Sequence, residues 1–469
     1  MTPVSSRLRR TDAGLATAVV LASLAPVSAL AAAGPSSGAP AAGAARPGSP
    51  ACGAPADLGV EDARLDLALP GQESSVAAQV LAASGLDRPV ARFGRTLCRV
   101  GPSGSDAASA SSAVAGLAGR AGADLWRLAV DRAQAPPAAG IARRSGDRTD
   151  DRGLYWARIA MRVALQEWAA ASPGRDAEPA LAALERTSRG LDDARFPAGE
   201  GATRVLVSGF DPFQLDAEPR RSNPSGAAAL ALDGTRVQTP DGPAVVQAVV
   251  LPVTWGGFDD GVVEDAYGPH LVRSERDADV VMTISQGSPG IFSVEEWAGA
   301  WRGGYPDNAR ASAREEIPLA PRWPQPDPSE PAQQFIRTTL PAPQMLAAGT
   351  GPFPVELRER ISAWTGGTRE GAPVTTTEDP QPGWLAAAGG GGDYLSNESM
   401  YRANRLRLAM GRDDVLGGHL HTPTLVYPWE GAEISNAAFE AHRRAVVDQV
   451  VALTGAAARA AAADVRSGA

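Results

Sequence analysis

The sequence predicts an α/β fold, three layers around a mostly parallel central sheet, preceded by a separate helical domain. Three observations predict it. From about residue 200 onward, short apolar runs alternate with helical patterns, the order of elements that builds parallel sheets. Before that point apolar residues recur only at helical spacing. The 469 residues also exceed what one ordinary core organises, so two domains with tails are expected.

The elements follow in order. Arg7, Arg9 and Arg10 precede an apolar run over residues 14–33 that is rich in Ala and interrupted by Pro26. Small residues at Ala29-Leu30-Ala31 suit cleavage, so residues 1–33 read as a signal peptide and the protein is expected to be secreted. No cysteine follows the run directly, and no transmembrane anchor is expected after cleavage. Residues 34–55, rich in Ala, Gly, Pro and Ser, read as a disordered linker. Cys52 and Cys98 are the two cysteines of the chain, and in an oxidising compartment they are expected to pair as a disulfide.

Residues 56–198 read as the helical domain. Its Trp, Leu and Met residues, around 124–130 and 154–163, fall at core spacing and carry no chemical motif. In the second domain strands are expected at 205–207, 245–253, 278–284 and 415–421. Helices are expected from Asn223, over 258–273, 354–364 and 397–410, and from 434 to about 462, with a tail at 457–469. Residues 309–392 are Pro- and Gly-rich and read as long surface loops.

The net charge of −9, with arginine as the only strong base, argues against nucleic acid or an anionic membrane as partner. Ligands of such sheets bind at the C-terminal strand ends, where three segments stand out. The first strand runs into Gly209-Phe210-Asp211-Pro212-Phe213, followed by Asn223-Pro224-Ser225. The third ends in Gln286-Gly287, with Glu295 shortly after; a glutamine there offers both a donor and an acceptor. The last carries His419 and His421, which alternation places on one face. A His-x-His pair can bind metal, but no third ligand is apparent beside it, and no metal is assigned.

Together these segments resemble, in order, the signature of the type I pyroglutamyl peptidases. The Gly-Phe-Asp-Pro-Phe and Asn-Pro-Ser pair is its most specific part. Leu251-Pro252-Val253, Gln286-Gly287, Glu295 with Ala298, Pro306-Asp307-Asn308, Thr339-Leu340-Pro341 and Leu420-His421-Thr422-Pro423 follow over residues 203–456. The resemblance implies removal of N-terminal pyroglutamate by a Cys–His–Glu triad without cofactor, from a peptide or small amide ligand. It gives His421 the role of general base and Glu295 that of its orienting carboxylate. Phe210 and Phe213 would sandwich the pyrrolidone ring, and Gln286 would hydrogen-bond the substrate.

The chain departs from that family at the nucleophile, which lies there in a Ser-x-x-Ala-Gly-x-Tyr-x-Cys-Asn-like stretch at a helix start. Aligning Tyr401 and Asn404 puts Ala403 at its place, and aligning Ser396 puts Asn404 there. Ser288-Pro289-Gly290 replaces the family's Gly-Gly-Arg. Loss of a triad nucleophile costs on the order of a million-fold in turnover, which implies a ligand-binding or degenerate homologue. The alternatives are an amidohydrolase using Ser399 with His421 and Glu295, Ser396 and Ser399 otherwise serving as helix caps, and a purely structural or interaction protein.

Overall fold

The computed structural model describes residues 46–100, 106–136, 147–198, 201–240, 242–326, 333–427 and 429–467. The expected signal peptide and residues 34–45 of the expected linker lie outside them. Six helices come first: α1 (Val60–Ala63), α2 (Val76–Ser84), α3 (Asp87–Leu97), α4 (Ala107–Gln134), α5 (Arg152–Ala170) and α6 (Glu178–Ser188). Then follow β1 (Thr203–Phe210), α7 (Pro224–Leu232), β2 (Arg236–Thr239), β3 (Gly242–Leu251), α8 (Trp255–Asp259), α9 (Val262–Leu271) and β4 (Val280–Gln286). The middle holds β5 (Phe292–Glu295), β6 (Trp297–Gly299), β7 (Phe335–Arg337), α10 (Ala342–Ala347), β8 (Val355–Arg358), β9 (Ile361–Trp364), β10 (Val374–Thr376) and β11 (Leu385–Ala388). The chain closes with α11 (Leu395–Ala409), β12 (Leu416–Thr422) and α12 (Ala437–Ser467).

The main sheet has the order β2-β3-β1-β4-β12-β5-β8. Its centre is parallel, β3 to β1 to β4 to β12, while β2–β3 and β12–β5 are antiparallel. Alternation along β1 sends Val205 and Val207 into one core and Leu206 into the other. The first core is closed by α7 and α12 and the second by α9 and α11. Helix starts carry their expected caps: the Asn223 side chain accepts from the Ser225 N–H ahead of Pro224, and Asp106 does the same for Ser109.

The helical segment packs against the α/β layers. Residues Ala45–Ala469 make one compact unit, and Trp126, Leu154 and Trp156 share a hydrophobic core with α7, α12 and the sheet. Buried ion pairs cross the same boundary. Arg158 of α5 reaches both carboxylate oxygens of Asp211 at 2.9 Å, and Arg189 reaches Asp211 at 2.7 Å.

Several expectations are corrected. Residues 354–364 are not a helix but β8 and β9, because Val355 and Leu357 alternate with Glu356 and Arg358 at the period of a strand. The 309–392 region, read as loops, supplies β7 to β11 and α10. Residues 46–55 are not a free tether: the Arg46–Asp66 ion pair at 2.7 Å and the Ala54 N–H on the Glu167 carbonyl fasten them. The Cys52–Cys98 disulfide is formed. The expected tail is part of α12, where Ala457, Ala458 and Ala461 are buried. By length and composition α12 would suit a membrane, but 67% of its apolar window is buried in the fold, so its apolarity is used in packing.

Two predictions follow from the packing. Asp211→Ala leaves the buried Arg158 guanidinium without a carboxylate and Arg189 with Glu185 alone, and urea denaturation should show a loss of about 3–5 kcal/mol. His270 on α9 packs edge-on to Phe196, and burial lowers its pKa to about 4. The unfolded chain takes up that proton near 6.5 and the folded chain only near 4. Stability is therefore whole above pH 6.5 and falls as pH drops towards 4, by up to about 3 kcal/mol. Urea midpoints at pH 7 and 4.5 should fall further apart in the wild type than in His270→Phe.

Candidate functional site

Strand register brings one polar row together. On β12, His421 lies opposite Ser285 of β4 and Ser293 of β5, and His419 lies opposite Thr283 and Glu295. Across that row His421 Nδ1 meets Glu295 Oε1 at 2.5 Å, and Ser293 Oγ donates to the same oxygen at 2.7 Å. Glu295 is fully buried, and its Oε2 has no hydrogen-bond donor among the described residues. With Nδ1–H turned to the carboxylate, Nε2 carries the free lone pair of a base. His419 spends both ring nitrogens on hydroxyl groups, Thr283 at 2.7 Å and Ser285 at 2.9 Å. Burial first, and then the neighbouring His421, hold its pKa well below the usual histidine value.

Beside this row, Phe210, Phe213, Asn223, Ser285, Gln286, Tyr394 and Ser396 line a cavity of about 20 Å³, space for roughly one water. Phe210 stacks on Phe258 at 6.2 Å, and Phe213 leans on Tyr394 at the same separation. Gln286 Oε1 is buried there without a donor among the described residues. The three residues assigned to ligand binding, Phe210, Phe213 and Gln286, thus meet in one place. The loop behind them is held hard. Asn223 Nδ2 donates to the Asp211 carbonyl and Asn308 Nδ2 to that of Pro212, at 3.0 and 2.9 Å. A larger cleft of about 730 Å³ lies between α6 and the 252–265 segment. Its buried wall is taken up by ion pairs, Arg162 with Glu61 at 2.9 Å and Arg189 with Glu185 at 2.7 Å.

The remaining wall of the small cavity is the start of α11. Tyr394 is its N-cap without a side-chain bond, and the first intrahelical donor is the N–H of Glu398. The N–H groups of Leu395, Ser396 and Asn397 have no acceptor among the described hydrogen bonds, as in any uncapped first turn. Asn397 clamps the helix to β6 through both backbone groups of Gly299. Below it, Glu398 pairs with Arg302 and Arg402, each at 2.6 Å.

Two assignments are corrected here. Ser399 Oγ donates to the Ser396 carbonyl at 2.8 Å and makes no hydrogen bond to His421. Ala403 sits in the third turn of α11, buried in a core with Leu406 and Val415, where no substrate reaches. Ser396 faces the cavity instead, half-buried, with no partner for its hydroxyl among the described residues. The signal that finds it is Gly392-Asp393-Tyr394-Leu395-Ser396-Asn397, which keeps the Gly-x-Tyr-x-Cys-Asn spacing with serine in place of cysteine. The glycine run before it has a steric purpose. A Cβ on Gly390 would lie 2.5 Å from Glu295 Oε2. A Cβ on Gly391 would lie 3.2 Å from His421 Cε1 and 3.7 Å from the Asn397 N. The imidazole edge therefore faces the first turn of α11 across Gly391.

Fold and site together define a mixed α/β protein with helices N-terminal to a mostly parallel sheet, and with a buried carboxylate–histidine pair beside an uncapped helix start. Its segments match two family models, described as PA0049 N-terminal domain over residues 42–185 and PA0049, C-terminal domain over 204–326 and 356–426. It is 32% identical to a Pseudomonas aeruginosa PAO1 protein described as "Uncharacterized protein PA0049", the match covering 94% of this chain and 95% of that one. The chain belongs to the PA0049 family. Among solved structures it is similar to the pyroglutamyl peptidase I from Bacillus amyloliquefaciens, at 19% identity and a TM-score of 0.36, over 55% of this chain and 95% of that one.

Gly390→Ala drives a methyl group into Glu295. The low-field proton expected on His421 Nδ1 in NMR spectra should disappear in that variant, while the cooperative urea transition is retained.

Proposed function

We propose that the protein is an amide hydrolase of pyroglutamyl-peptidase type that uses Ser396 as nucleophile, His421 as general base and Glu295 as the carboxylate orienting it. The supporting observation is the His421–Glu295 contact at 2.5 Å next to a first helical turn that lines the small cavity with Leu395 and Ser396 and carries unbonded N–H groups. His421 Nε2 takes the Ser396 proton as Oγ attacks the substrate carbonyl carbon. The N–H groups of the first turn of α11 accept the developing oxyanion. His421 then returns the proton to the leaving amine, and a water repeats the attack on the acyl-enzyme. Phe210 and Phe213 hold the N-terminal ring of the substrate and Gln286 bonds it. No cofactor has a step in this sequence. The disulfide suits an oxidising compartment, in keeping with export.

A binding protein without turnover is the second reading. The cavity of about 20 Å³ favours it, since a five-membered ring enters only after Phe213 and Tyr394 separate.

Hydrolysis of a fluorogenic pyroglutamyl amide by the full chain decides between them. Wild-type turnover that falls at least a thousand-fold in Ser396→Ala, with circular dichroism unchanged, supports the hydrolase. A silent wild type beside an active Ser396→Cys supports the binding protein. Silence in both, without binding of the product by calorimetry, rejects both.

A further inference from the structure

The ring of Tyr394 closes the small cavity against Phe213, 6.2 Å away. With about 20 Å³ inside, anything larger than a water enters only when these two rings part. Tyr394 is boxed in by two further rings, Trp255 and Tyr305, each 5.3 Å from it. Trp255 is buried, and its backbone N–H donates to Asp307 Oδ2 at 2.7 Å. The backbone at Phe213 is pinned on both sides, by the Asn308 hydrogen bond to the Pro212 carbonyl and by the fully buried Leu215. Tyr305 is 48% exposed. It is the member of the box that can yield towards solvent.

The chain that carries Tyr305 is built as a strap. At one end Arg302 is fully buried and paired with Glu398 at 2.6 Å. At the other, Asp307 is buried under the Trp255 N–H. Residues 303–306 between them are half-buried or exposed, and two are glycines, which absorb backbone rotation at little cost. Gly304 has φ 89°. A Cβ on Gly303 would lie 1.8 Å from Asp393 Oδ2, so the strap crosses directly over the residue before Tyr394. It is fastened by Trp255 Nε1, which donates to the Tyr305 carbonyl at 3.1 Å, and by the Tyr394 hydroxyl, which donates to the Pro306 carbonyl at 3.2 Å. Across the mouth, Gln214 Nε2 donates to Tyr305 Oη at 2.8 Å. This exposed bond joins the strap to the neighbour of Phe213, and it does so whichever of the two groups donates. Gln214 itself has φ 60°, a left-handed conformation that, among the described non-glycine residues, only Arg310 shares. Such backbone persists where the surroundings hold it.

We infer that residues 303–306 are a gating strap, and that Tyr305, latched on Gln214, governs access to the small cavity. Breaking the latch frees the Tyr305 ring to turn towards solvent, and Tyr394 then moves into the space and parts from Phe213. The inference rests on the reading of this cavity as the ligand site, and it requires neither turnover nor a particular ligand. Tyr305 has no part in the chemistry.

Access is read on the full chain carrying Ser396→Cys, which places a thiol in the cavity wall. Cys52 and Cys98, the two cysteines of the chain, are joined and do not compete. Alkylation by iodoacetamide is timed across the thiol's titration, so that thiolate reactivity is separated from access. Tyr305→Phe keeps the ring and drops the hydroxyl. Gln214→Asn tolerates the left-handed turn but shortens the reach. Each should raise the thiolate rate about fivefold, the worth of one hydrogen bond, with circular dichroism unchanged. The two together should raise it no further, because both break the same latch. Rates unchanged in both single variants, or effects that multiply in the double variant, overturn the inference. Labelling governed by the latch in a protein that hydrolyses no pyroglutamyl amide keeps the strap and loses the hydrolase. Turnover beside labelling indifferent to both variants keeps the hydrolase and loses the strap.

Discussion

Asp211 is the residue on which the site depends. It lies between Phe210 and Phe213, 3% exposed, and is held by Arg158 and Arg189 at 2.9 and 2.7 Å. Neither arginine belongs to the α/β layers: one is on α5, and the other follows α6. A buried ion pair is seldom worth more than a well-packed apolar substitute, but removing one partner is expensive. The arrangement thus sets position more than stability. It gives the turn after β1 a single seat, and the Asn223 and Asn308 side chains complete it from two other directions. The absence of a chemical motif in the first 198 residues then has a physical reason. Those helices hold the loop that shapes the cavity, and they act through packing and charge.

Most of the central sheet was legible because β1, β3 and β4 are largely apolar runs buried on both faces, the first two followed by helical patterns. The edge pieces were not. From β7 to β11 the strands have three or four residues, and β8 joins β5 across a long stretch of chain. Alternation over four residues is too short to outweigh helix-forming Glu, Leu and Arg in residues 354–364. Nothing in sequence periodicity records a charge that crosses layers. Arg158 looks like any polar position on α5 until Asp211 lies opposite it.

At the site the same division holds. His421 and Glu295 were legible together through the family resemblance, and Phe210, Phe213 and Gln286 through the turn and strand end that carry them. On the proposed assignment the nucleophile position was misplaced because α11 repeats itself: Tyr394 and Asn397 recur two turns later as Tyr401 and Asn404. Both pairs fit the spacing of the motif. Only the first lies where a helix has unbonded N–H groups, and only the first follows a glycine run thin enough to let a histidine edge approach. The discriminating information is where the helix starts, and helix boundaries are the part of a sequence reading most easily displaced.

If Ser396 is the nucleophile, as proposed, a serine at this position changes which parts of the site carry the load. A thiol ionises near neutral pH, and a helix N-terminus stabilises the resulting thiolate before any substrate arrives. A hydroxyl stays protonated, so its proton must leave as the new bond forms, and the base becomes indispensable. The geometry around Glu295 suits that demand. One carboxylate oxygen takes both available hydrogen bonds, from His421 and Ser293, and the other is buried without any. Such a carboxylate is under-neutralised at rest, and positive charge arriving on the imidazole 2.5 Å away relieves it at the moment the serine proton moves. On the proposed assignment, the cost of replacing sulfur by oxygen is offset at the far end of the triad, by a buried carboxylate that the transition state satisfies better than the resting enzyme does.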